Sequence, residues 1–80
     1  MILVLAGRYD QVKDWAHDKN LNPATYRYVI NPEDFLMYQP GSSTIELVGT
    51  WWEKGDLIDW LLTTHWRYEL EKTLGDNNEL

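Results

Sequence analysis

The opening stretch Met1-Ile2-Leu3-Val4-Leu5-Ala6 holds no polar side chain, and Gly7 closes it. Nothing charged appears before Arg8. A short apolar run bounded by glycine reads as a strand over residues 2–6 buried on both faces. Such strands lie inside parallel sheets that carry helices on each side. This run sets the expectation for the rest of the chain: two more strands beside it and helices packed over it.

Arg8-Tyr9-Asp10 leads into a helix, where Asp10 is the better side chain for accepting a free backbone N–H. Tyr9, Val12, Trp15, Ala16 and Lys19 recur at the spacing of one face, which leaves Gln11, Lys13, Asp14 and Asp18 pointing away. Asn20-Leu21-Asn22-Pro23 stops it, because proline cannot continue a helix. A second strand is expected over residues 25–30, with Tyr26, Tyr28 and Ile30 alternating with Arg27 and Val29. Asn31-Pro32-Glu33-Asp34 is a strong helix start, and the short helix it opens should turn Phe35, Leu36 and Tyr38 inward. Gln39-Pro40-Gly41-Ser42-Ser43 is a turn before a third strand from residue 44 to 49 or 50. Asp56 then caps a last helix expected to run through Lys72.

Alternation of strand and helix implies a parallel sheet. The most uniformly apolar strand belongs in the middle. The expected fold class is therefore α/β: a small three-stranded parallel sheet of order 2-1-3, Rossmann- or flavodoxin-like, with helices on both faces. Eighty residues make one small domain. It is assigned to residues 1–74, followed by a polar tail at 75–80 expected to be disordered.

In open α/β sheets ligands sit beyond the carboxyl ends of the strands, where strand order reverses. The residues delivered there are Gly7, Arg8, Tyr9 and Asp10 from one loop and Gly49, Thr50, Trp51, Trp52 and Glu53 from another, with Asn31 alongside. They supply a cation, a hydroxyl, stackable rings and carboxylates, a set suited to a nucleotide-like or phosphate ligand. The phosphate-binding loops of known type need more glycines, or a lysine followed by Ser or Thr, and Gly7-Arg8-Tyr9-Asp10 has neither. Gly7 also suits a sharp chain turn into the helix.

No catalytic residue is assigned and no cofactor is called for. His17 and His65 lack the spacing of a zinc site, so no metal site is assigned, and Ser42 and Ser43 have no histidine near in sequence. With a net charge of −6 the chain is ill suited to hold a nucleic-acid backbone. Its scattered carboxylates fit a solvated acidic surface better than a face imitating DNA. The absence of cysteine and the shortness of the first apolar run lead to the expectation of a soluble cytoplasmic protein that neither enters nor spans a membrane.

Five tryptophans and five tyrosines are many for so short a chain. On the last helix Trp60, Trp66 and Tyr68 fall outside a stripe built on Ile58, Leu61, Leu62 and His65. They are the candidate interface of a homodimer, since Trp and Tyr commonly anchor interfaces. The alternative is a helix that bends back and buries the rings internally.

The set Ala6-Gly7-Arg8-Tyr9 with Trp15, Arg27-Tyr28-Val29 before Asn31-Pro32-Glu33-Asp34, and Val48-Gly49-Thr50-Trp51-Trp52-Glu53 before Asp56-Leu57 resembles small uncharacterised proteins of actinobacterial phages. The likeness spans residues 3 to about 62. It implies a phage origin, expression in the host cytoplasm and a Rossmann-like fold, and it transfers no catalytic residue. Together these readings lead to an expected function of protein–protein binding, with a host protein as partner. The alternative is a nucleotide- or phosphate-binding module at the strand ends.

Overall fold

The structure, a computed structural model, describes residues 1–78. Three strands, β1 (Ile2–Ala6), β2 (Tyr26–Tyr28) and β3 (Thr44–Val48), form one sheet of order β2-β1-β3. Both pairings are parallel, with Ile2 opposite Tyr26 on one side and Thr44 on the other. The central strand is the apolar one. Leu3, Val4, Leu5 and Ala6 are fully buried, and their alternation sends Leu3 and Leu5 to one face and Val4 and Ala6 to the other.

Helix α1 (Tyr9–Asp18) covers the face of Val4 and Ala6, where Val12 and Val48 complete a small cluster. Trp15 packs edge-on against Tyr26 at 5.6 Å between ring centroids. The chain leaves α1 through Asn20 at φ 54°, and Leu21 N–H donates to the Ala16 carbonyl. Asparagine tolerates this left-handed geometry better than most side chains, which ends the helix before Pro23 is reached.

Helices α2 (Gly55–Leu62) and α3 (Arg67–Asn78) cover the opposite face. Leu57, Leu61, Trp66 and Leu70 pack there with Leu3, Leu5, Ile45 and Phe35. Two helices on one face and one on the other give the layered arrangement expected of a parallel sheet.

Several elements differ from the sequence reading. Strand β2 is shorter, because Thr25 closes a 3₁₀ turn (Pro23–Thr25). Beyond it Val29 still pairs with β1 through its N–H to the Val4 carbonyl and is buried, whereas Ile30 is exposed. The segment started by Asn31 and Pro32 is a single 3₁₀ turn (Pro32–Phe35), too short to carry a second apolar row. Phe35 is buried, but Leu36 faces solvent at 76% exposure.

The largest correction concerns the last helix, which is two helices. The Thr63 and Thr64 hydroxyls donate to the carbonyls of Trp60 and Leu61, at 2.8 and 3.0 Å. These bonds let the side chains compete with the helical backbone for its own acceptors. Thr64 Oγ1 then accepts the Trp66 N–H at 3.2 Å, so the chain restarts in a new direction. Helix α3 runs on to Asn78 and so takes in residues 75–78 of the tail expected to be disordered; Glu79 and Leu80 lie outside the described residues. No helix among the described residues is long and apolar enough to cross a membrane.

Candidate functional site

The loops after β1 and β3 meet as expected at the strand carboxyl ends, but they meet around a residue that helical periodicity had placed in solvent. Gln11, in the first turn of α1, directs its carboxamide into the junction. Its Oε1 accepts the N–H groups of Gly7, Thr50 and Arg8 at 3.0, 3.1 and 3.3 Å. Its Nε2 donates to Thr50 Oγ1 at 2.9 Å, and the Thr50 hydroxyl donates in turn to the Glu53 carboxylate. Three backbone donors from two loops thus converge on one side-chain oxygen.

Both glycines of the candidate set serve this junction. A Cβ on Gly7 would collide with the Thr50 and Glu53 side chains and lie 2.9 Å from the Thr50 carbonyl oxygen. Gly49 stands at φ 56° with the Gln11 side chain directly against it. The first is needed for close approach and the second also for its backbone angle. The signal for Gln11 was present in its position. Glutamine three residues after the N-cap, here Arg8, reaches back to the N-cap backbone in a capping box.

The remaining candidates divide. Arg8 and Asp10 form an exposed ion pair at 3.2 Å, worth little in stability. Tyr9 is exposed, with its ring 6.0 Å from that of Tyr28. Adjacent Trp51 and Trp52 separate: Trp51 packs on the core cluster, while Trp52 stands 61% exposed. Asn31, Trp52 and Glu53 come together in a cleft of about 590 Å³, whose other wall and floor include Ile30, Pro32 and Leu57. The cleft lies between the loop after β2 and the 3₁₀ turn Trp51–Lys54 after β3. It is thus lined by the segments that follow the two outer strands β2 and β3, whereas the expected site lay between β1 and β3.

Both walls are held from behind. Asp34 accepts the N–H groups of Ile30 and Asn31 at 2.8 and 3.1 Å and the Arg27 guanidinium at 3.1 Å. The Ile30 N–H first, and the Asn31 N–H and Arg27 with it, hold the Asp34 carboxyl below the usual carboxylate range against the opposing effect of burial. On the other wall the Lys54 ammonium rests 5.9 Å from the centre of the Tyr28 ring. Leu57, in the floor, is buried.

The three candidate interface rings have different fates. Trp66 is 1% exposed and packs edge-on against Phe35 at 5.2 Å, so it is unavailable to a second copy. The break after Leu62 turns it inward, whereas the bent-back alternative expected all three rings to be buried. Trp60 is half-buried beside Phe35 at 5.8 Å, and Tyr68 alone is fully presented, at 71% exposure. His17 and His65 are both exposed, and among the described residues no group of three His, Cys, Asp or Glu side chains is placed to hold a metal ion.

Fold and site together define a small α/β protein with a three-stranded parallel sheet, a sealed loop junction and an adjoining open cleft. Comparison with protein-family models, with curated proteins and with solved structures returned no match.

Proposed function

We propose that the chain acts by binding another protein, through the cleft between the β2 loop and the Trp51–Lys54 turn. The observation that carries this reading is Trp52. A large aromatic side chain, 61% exposed, stands with exposed Ile30 on a cleft that has one wall held by Asp34 and buried Leu57 in its floor. Exposed aromatic and aliphatic side chains around a preformed cleft are the usual anchors of a protein interface. Protein binding is favoured over a nucleotide or phosphate ligand because the loop N–H groups suited to an anion already donate to Gln11 Oε1.

The resemblance to actinobacteriophage proteins supports a phage origin, a setting in the host cytoplasm and a host protein as partner. Self-association, within the same reading, is assigned to the exposed Leu36, Met37 and Trp52; of the last-helix rings Tyr68 is exposed and Trp66 is not.

Affinity capture from actinobacterial lysate tests the proposal. The expected result is a partner held by the wild type and by Tyr68→Ala, and lost by the double variant Ile30→Asp, Trp52→Ala, with circular dichroism showing that the variant remains folded. Capture of the same partner by the folded double variant contradicts it.

A further inference from the structure

The cleft combines a ring with carboxylates. Trp52 lines it, and so do Glu53 and Asp56, both exposed. Asp56 has no ion-pair partner among the described residues. Lys54, between them in sequence, also lines the cleft, and its ammonium rests over the Tyr28 ring, which does not, so the two carboxylates outnumber the one cation of the lining. The chain as a whole carries −6, which draws cationic segments toward it. An indole beside carboxylates matches one side chain above others. The planar guanidinium of arginine stacks on an aromatic face while its N–H groups pair with a carboxylate.

We infer that the cleft recognises an arginine-bearing segment of the partner protein, with the guanidinium between Trp52 and Asp56 and an aliphatic neighbour of that arginine on Ile30 and Pro32. The inference rests on the binding reading above and names the chemistry of the bound segment.

Three peptides test it against the full chain in ¹⁵N NMR titrations: acetyl-Leu-Arg-Leu-amide and its counterparts with Gln or Glu in the middle. The arginine peptide is expected to shift the Trp52 indole N–H and the amides of Asn31 and Asp56 in a saturable way. The Gln peptide should bind about tenfold more weakly and the Glu peptide more weakly still. Asp56→Asn, a change at an exposed position, should remove most of the difference between the Arg and Gln peptides, and its own spectrum reports that the fold is kept. Equal binding of the Arg and Gln peptides overturns the arginine assignment while leaving the cleft as the binding site. Shifts by the arginine peptide centred elsewhere, for example on the groove between Glu46 and Lys72, overturn it too. If none of the peptides shifts the cleft residues, the assignment falls, and the capture experiment decides the binding reading independently.

Discussion

Gln11 Oε1 gathers N–H groups from Gly7, Arg8 and Thr50, so one truncation leaves three donors, those of Gly7 and Thr50 partly buried, without their acceptor. Gln11→Ala is expected to destabilise the fold by about 2 kcal/mol in urea unfolding, because a stranded donor costs more than the net value of a single bond. Gln39→Ala, at an exposed position, should stay within about 0.5 kcal/mol of wild type. Equal effects of the two variants would show that the junction is held by other means. Trp66 supports a second prediction. Its indole is 1% exposed against Phe35, so Trp66→Ala should cost roughly 3–5 kcal/mol in unfolding free energy. Tyr68→Ala, two residues on and exposed, should cost about 0.5 kcal/mol or less. The reverse ranking in urea titrations would return Trp66 to the surface. Neither role was legible from apolar spacing. Periodicity sends a polar residue between Asp10 and Val12 to solvent, and it assigns Trp66 by the phase of a helix that has ended before reaching it. The capping position of Gln11 was the better guide.

Among the elements, the turn Pro32–Phe35 is held both by its backbone hydrogen bonds, Asp34 N–H to the Asn31 carbonyl and Leu36 N–H to the Glu33 carbonyl, and by one carboxylate. Asp34 joins Ile30, Asn31 and Arg27, and its carboxyl titrates below the usual range. A carboxyl with a depressed folded value adds stability that is complete above its unfolded value and is lost as pH falls through the folded one. The stability gap between wild type and Asp34→Asn should therefore be full near neutrality and shrink on the acid side of ordinary aspartate titration. Urea midpoints measured across that range check it, and a gap constant down to the most acid point contradicts the assignment. The sequence showed this turn clearly, through Asn31, Pro32 and two acids, but not that it stops after one 3₁₀ turn. The break between α2 and α3 was hidden for a different reason. Thr63 and Thr64 are not helix breakers of the strength of Gly or Pro, and their effect arises from hydroxyl bonds back to Trp60 and Leu61. The visible symptom was an apolar band too wide for one straight helix.

For the whole molecule, the order β2-β1-β3 was readable because a strand buried on both faces has to be central. The cleft was not readable. It exists only where residues 30–32 meet residues 52–57, and no spacing in sequence shows two loops facing each other. The fold leaves the apolar side chains Leu36, Met37 and Trp52 exposed. If self-association uses them, sedimentation equilibrium at micromolar protein should give a mass above that of one chain. Leu36→Ser with Met37→Ser should lower this mass and Tyr68→Ala should leave it unchanged. A wild type at the mass of a single chain throughout removes self-association from the account. Binding through the cleft predicts a pattern of hydrogen–deuterium exchange in the captured complex. Backbone exchange should slow on complex formation at residues 29–37 and 51–57 and stay unchanged along α1. Protection confined to α1 or α3, with both cleft loops exchanging as in the free chain, would contradict it.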